Sequence, residues 1–273
     1  AAFVQWVKKL KPAIVTVENV KGMVELDNGR FTQYVEDLFE WAGYRVEWAV
    51  LNAAEYGVPQ KRERVYFIAV PVGIDNSADY WYPRQTHSST GQQTLSETSR
   101  DYAPFNTVAD AISDLPHPGN DIEDVPEHTL NGPVPNHKPI DHSEEVRKRL
   151  ATYKPGETYG SVTESRLSPE TPARTLCTSN GTPPAHYAGA DETRRLTARE
   201  CARLQSFPDT YRFCGGLTAQ LTQIGNAVPP LLQERVAAGV KRNLVAFSNR
   251  LVDYEIPNYR PKHPAADPVD TDS

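Results

Sequence analysis

Three basic residues, Lys61, Arg62 and Arg64, stand at the mouth of an apolar run, Val65 to Val70, within the stretch Asn52 to Val70. Cationic side chains aimed from a rigid element can hold an anionic or polar ligand, although the same pattern is met in a loop-to-strand junction with solvated charges. Glu18 follows a second apolar run, Ala13 to Val17. A carboxylate at the C-terminal end of a parallel strand sits where open α/β sheets bind ligands, and Glu18-Asn19 before a turn is equally an ordinary helix cap. Five arginines, Arg194, Arg195, Arg199, Arg203 and Arg212, face only Glu200 and Asp209 in their segment. They suit phosphates or, alternatively, an internal ion-pair lattice. Gly225 and Asn226, placed in a tight turn before a helix, can approach a polar ligand closely.

The elements that must position these groups follow from periodicity. Ala1 to Leu10 is an amphipathic helix ended by Pro12, and Phe31 to Trp41 is a second, with Gly43 as its C-cap. Ala13 to Val17, Tyr44 to Val50 and Val65 to Val70 read as strands, the last buried on both faces. Their order implies half of a doubly wound α/β domain. From Pro71 to about Glu192 the chain is rich in Pro, His, Ser, Thr and Asp, with short helices over Val108 to Leu115 and His142 to Tyr153, so a second, small and irregular domain is expected. Thr197 and Glu200 form a capping box at the head of a helix over Ala198 to Phe207. Leu231 to Phe247 is a further helix, and 248–273 reads as a disordered tail.

Composition narrows the function. With 273 residues, 38% of them hydrophobic and 23% charged, the chain can bury a core, and its net charge of −6 excludes a generally basic nucleic-acid binder but not a local basic patch. Its three cysteines, Cys177, Cys201 and Cys214, make no even disulfide framework, and no CxxC or HExxH occurs, so metal chemistry is not indicated. No apolar run is long enough to span a bilayer, and no signal-peptide pattern is present.

Taken together these stretches resemble the DNA (cytosine-5) methyltransferases, because four motifs occur in the family's order. Glu18-Asn19-Val20 looks like motif VI, and Asn52 to Ala69, with Gln60, Arg62 and Arg64, looks like motifs VII and VIII. Arg195-Leu196-Thr197, Arg199 to Gln205 and Phe207-Pro208 look like motif IX, and Gly225 to Val228 looks like motif X. Pro83 to His87 and Thr107 to Leu115 are similar to bacterial and archaeal members.

The resemblance implies transfer of a methyl group from S-adenosyl-L-methionine to C5 of a cytosine flipped out of double-stranded DNA. C5 is a poor nucleophile until a cysteine thiolate adds to C6, while a carboxylate at N3 and an arginine at O2 steady the ring. By the match Glu18 is the N3 partner, Arg64 holds the base, Arg62 supports the pocket, and Asn226, Ala227 and Val228 contribute to the cofactor site. It further implies the second half of the catalytic domain over 1–70, a target-recognition region including motif IX over 71–217, and a return to the catalytic domain over 218–247.

Two departures bear on activity. No cysteine follows a proline, and no GxGxxG or FxGxG occurs, so motifs I to IV are read as absent and all three cysteines as noncatalytic. Ala1 looks placed within a helix rather than before one. The expectation is a C-terminal fragment or one subunit of a split enzyme, inactive alone and completed by a chain carrying motifs I to IV, or else a noncatalytic DNA-binding relic. Its compact recognition region accords with a prokaryotic cytoplasmic protein of a restriction-modification system.

Overall fold

The computed structural model describes residues 2–73, 81–90, 102–118, 134–159, 164–176, 183–188 and 193–251. They fall into two compact units, one drawn from Ala1–Asn52, Glu63–Arg84 and Glu234–Ser273, the other from Ala53–Arg62 and Gln85–Gln233. The chain thus leaves the first unit after Asn52, returns at Glu63, leaves it again after Arg84 and returns at Glu234.

The first unit is built on a sheet. Helix α1 (Ala2–Leu10) stops at Lys11, which takes a positive φ of 49° ahead of Pro12. Strand β1 (Val15–Val20) begins two residues later than expected and contains Glu18 and Asn19. A single helical turn, α2 (Gly22–Glu25), leads toward α3 (Arg30–Trp41), after which Gly43 adopts the left-handed conformation expected of its cap (φ 85°). Strand β2 (Tyr44–Asn52) follows. Beyond the two-residue β3 (Gln60–Lys61), which belongs to the other unit, β4 (Glu63–Pro71) completes the sheet in the order β1-β4-β2.

Both pairings are antiparallel, which corrects the expectation of a parallel neighbour for β1. The residues between β2 and β4 are too few to return the chain through a crossover helix, so β4 comes back alongside β2 in the opposite sense and separates it from β1. β1 and β2 then run in the same direction.

β4 is central, and Val65 through Val70 are at most 1% exposed, as the unbroken apolar run implies. On one side Val15 and Ala69 pack with Val4 and Val7 of α1 and Phe39 of α3. On the other, Ile68 and Val70 meet Trp81, with Val240 of a long helix, Pro230–Leu251, beside them. Burying a side chain such as Phe67 or Ile68 stabilises the fold by roughly 1.5–3 kcal/mol. That helix extends past the expected start of the tail at 248, and the remainder of the tail, 252–273, lies outside the described residues.

The second unit is held by short helices. α4 (Val108–Ile112) opens with a Thr107–Asp110 capping box, and α5 (Glu144–Ala151) is capped by Ser143. Strand β5 (Ala173–Arg174) pairs in parallel with β3. α6 (Ala198–Leu204) carries the anticipated Thr197–Glu200 box. α7 (Leu217–Asn226) was not anticipated: Leu217, Leu221 and Ile224 recur at helical spacing and pack into the core with Leu204, Phe213 and Val108. The Pro230–Leu251 helix, α8, follows after only three residues.

Candidate active site

Register places Glu18 and Arg64 on one face of the first unit's sheet. Glu18 lies opposite Tyr66 and Val20 opposite Arg64, so Glu18 and Arg64 are diagonal neighbours across the β1–β4 ladder. Their side chains close that diagonal, with Arg64 Nε 3.0 Å from Glu18 Oε1. Arg64 Nη1 also donates to the Glu63 carbonyl at 2.8 Å, which fixes the plane of the fork. The pair is partly open, at 12% exposure for Arg64 and 25% for Glu18, so a ligand can reach it. A carboxylate and a guanidinium side by side present an acceptor, or an acid, and a fork of donors to one edge of a polar heterocycle.

Arg62, two residues earlier, does something else within the second unit. It is 2% exposed, and its Nη2 donates to the carbonyls of Gly225 (2.8 Å) and Ala227 (3.0 Å). Those carbonyls end α7, where the helix dipole favours a cation. Gln205 reinforces them, its Nε2 donating to Ile224 O at 3.1 Å and Ala227 O at 2.8 Å. Gln60 in turn donates to Gln205 Oε1 at 2.7 Å and accepts from Leu176 N at 3.2 Å. Gln60 and Arg62 thus pin the segment from Gly225 to Ala227. From the sequence Gln205 had a place in the motif IX stretch but no role of its own, though a polar residue beside the buried Cys201, Ala202 and Leu204 of α6 is the signal that marks it.

The placement of Asn226 corrects the view of it at a helix entrance: it ends α7, and Ala227 is the C-cap. Asn226 is exposed, while Ala227 and Val228 are half-buried. With the carbonyls drawn inward by Arg62 and Gln205, this short link offers an outward amide beside small apolar groups. That combination fits one wall of a site for a nucleoside-bearing amino acid such as S-adenosylmethionine. Among the described residues no group of three or more His, Cys, Asp or Glu side chains is arranged to hold a metal.

Four of the arginines of 194–212, Arg194, Arg195, Arg199 and Arg203, form the internal lattice rather than an open basic patch. Arg194 pairs with both oxygens of Glu200 at 2.7 and 2.8 Å, and Glu200 also accepts from Thr197 N. Burial pushes the Glu200 carboxyl up, but the hydrogen bonds and charge of Arg194, with His186 and Thr197 N–H, outweigh it and hold the group below the ordinary carboxylate range. Arg195 meets Glu164 at 2.7 Å and Arg203 grips Asp209 at 2.9 and 2.6 Å. Arg199, fully buried, donates to the carbonyls of Pro135, Pro208 and Tyr211. Arg212 is exposed.

Of the two described cysteines, Cys201 sits where a thiolate is disfavoured. Cys201 is fully buried in α6, and desolvation, with Glu200 nearby, drives its thiol far above its ordinary range. Cys214 is free and exposed, and Cys177 lies outside the described residues.

A family model of C-5 cytosine-specific DNA methylases matches residues 1–242, and the chain belongs to that family. Among curated relatives, the type II methyltransferase M1.HphI of Haemophilus parahaemolyticus is 31% identical over 249 residues, covering 87% of this chain and 59% of its own. The type II methyltransferase M.NgoFVII of Neisseria gonorrhoeae is 32% identical over 245 residues, covering 84% of this chain and 58% of its own. The chain therefore spans somewhat under three-fifths of the length of these two relatives. Of the solved structures, a prophage-encoded Escherichia coli protein described as a DNA modification methyltransferase superposes with a TM-score of 0.65 at 24% identity, over 89% of this chain and 73% of that one. At that identity it supports the α/β methyltransferase fold alone. No helix among the described residues is long and apolar enough to cross a membrane.

Proposed function

We propose that this chain supplies the base-holding and DNA-recognising part of a DNA cytosine-5 methyltransferase. The observation that carries the reading is the Glu18–Arg64 pair, 3.0 Å apart on one accessible face of the sheet. In this role Glu18 hydrogen-bonds N3 of a cytosine turned out of the duplex, and Arg64 donates to O2. Together they stabilise the electron density that moves into the ring when a thiolate adds at C6, and so make C5 nucleophilic. Arg62 acts at one remove, as a positioning residue for Gly225 to Val228. S-adenosyl-L-methionine supplies the electrophilic methyl group, and Asn226, Ala227 and Val228 form part of its wall.

The thiolate itself comes from a Pro-Cys loop outside the described residues of this chain, either on a covalently continuous segment or on a complementary chain. The buried setting of Cys201 supports that division of labour. The same setting also favours a second reading, a noncatalytic DNA-binding chain. The bacterial relatives point to a restriction-modification setting in a prokaryotic cytoplasm.

The test is transfer of a labelled methyl group to duplex DNA. The purified chain alone is expected to give none. Joined to the segment of a relative that carries the Pro-Cys and glycine-rich loops, it is expected to methylate cytosine C5, and Glu18→Gln is expected to lower the rate by about 10²–10³-fold with DNA affinity retained, the usual loss when one charge-stabilising group is removed. Undiminished transfer by the Glu18→Gln protein would exclude the assigned role. Failure of the joined protein to methylate while still binding DNA would favour the noncatalytic reading.

A further inference from the structure

The β3–β5 ladder carries a like-charged pair that the arrangement of the second unit leaves unexplained. Gln60 pairs with Ala173 and Lys61 with Arg174. The first pair is buried, whereas Lys61 and Arg174 both face solvent. Two cations directly opposite one another repel and weaken a ladder. Neither has a carboxylate partner among the described residues, although this unit pairs Arg194, Arg195 and Arg203 with acids. The ladder is nevertheless pinned on every side. Ala173 N donates to Pro59 O at 2.9 Å, and Thr175 Oγ1 donates to Lys61 O at 2.8 Å. Arg174 Nη1 donates to Thr158 Oγ1 at 2.6 Å, which holds the guanidinium in one direction.

The geometry points to a phosphate clamp: Lys61 and Arg174 together hold one phosphodiester of duplex DNA. Lys61 acts as a point charge and Arg174 as a fork of donors, and the anion removes their mutual repulsion. The inference rests on the proposed DNA-recognising role and names a contact within it. Because a phosphate contact reports no base identity, the clamp fixes where the duplex lies rather than which sequence is chosen.

The full chain is titrated with two unrelated duplexes over a range of salt concentrations. The wild-type association constant is expected to fall linearly with salt on logarithmic axes. Lys61→Gln/Arg174→Gln is expected to flatten that slope by about 0.9, the loss of one phosphate contact, equally on both duplexes. Each single substitution is expected to weaken binding to both, so a folding defect in one variant leaves the other as the test. Lys148→Gln, at an exposed lysine 2.7 Å from Glu144, is the control whose slope stays at the wild-type value. An unchanged slope in the folded double variant overturns the clamp and leaves the proposed function standing. A wild-type chain that binds neither duplex overturns both.

Discussion

Replacing Arg62 with alanine strips the Gly225 and Ala227 carbonyls of a charged donor inside a buried site, whereas replacing Arg64 removes a group from an accessible face. The consequences should divide accordingly. Arg62→Ala is expected to destabilise the protein by about 2–4 kcal/mol, the cost of leaving the Gly225 carbonyl unmet, with Gln205 still serving Ala227, together with a cavity. Arg64→Ala is expected to cost about 1 kcal/mol or less, as partly exposed ion pairs do, while abolishing the base contact assigned to it. Urea unfolding of the two variants measures the difference, and equal losses would remove the distinction between positioning and base-holding arginines. From the sequence both looked like members of one cationic cluster. What separates them is the partner each reaches, Gly225 and Ala227 for Arg62 and Glu18 for Arg64, and those partners are remote in the chain.

At the scale of elements, helix α8 passes so close to the chain at Trp81 that a Cβ on Gly239 would lie 2.8 Å from the Trp81 carbonyl oxygen. An alanine in mid-helix normally gains about 1 kcal/mol over glycine. Here backbone must shift to admit it, and overpacking of this kind costs about 1–3 kcal/mol. Gly239→Ala is therefore expected to lower the urea midpoint despite its better helix propensity, and a raised midpoint would show that the contact relaxes freely. Helices α1, α3 and α6 were legible because apolar spacing and capping residues are local signals. Helix α7 was missed because polar residues and Gly225 break up its apolar pattern, and the side of it that is apolar matters only once Leu204 and Phe213 pack against it.

Across the molecule, two histidines, the buried His137 and the half-buried His142, set an acid limit. His137 is held low chiefly by burial, against the Pro116 carbonyl and Glu200 and with Arg194 and Arg203 nearby. Its Nε2 lies 2.7 Å from Pro116 O and so carries the proton, leaving Nδ1 to accept from the Thr197 hydroxyl at 2.9 Å. His142 is held low by burial, then by Arg195 and Arg147 against Asp141, and its Nε2 accepts from Arg195 N. Groups with depressed folded values contribute stability that is whole above the unfolded value, 6.5 for these histidines, and is lost as the pH falls through the folded value. A second loss follows below the ordinary carboxyl value of 4.5, as Glu200 and Glu164 protonate. Urea midpoints measured from pH 8 to pH 3 should fall in those two stages, and a midpoint unchanged between pH 7 and pH 5 would contradict the assignment.

The order of α1, β1, α3, β2 and β4, the buried character of Val65 to Val70, the capping box at Thr197 and the choice of Glu18, Arg62, Arg64 and Asn226 as candidates were available from residue type and spacing. Each depends on neighbours a few positions away, which is the range over which periodicity and capping act. The antiparallel place of β4, the closing of arginines 194, 195, 199 and 203 into internal pairs, and the division of work between Arg62 and Arg64 were decided by the tertiary structure. A charge has no fixed meaning until packing sets its partner and its access to water, and residues such as Glu18 and Arg64, forty-six positions apart, become neighbours only when the sheet forms.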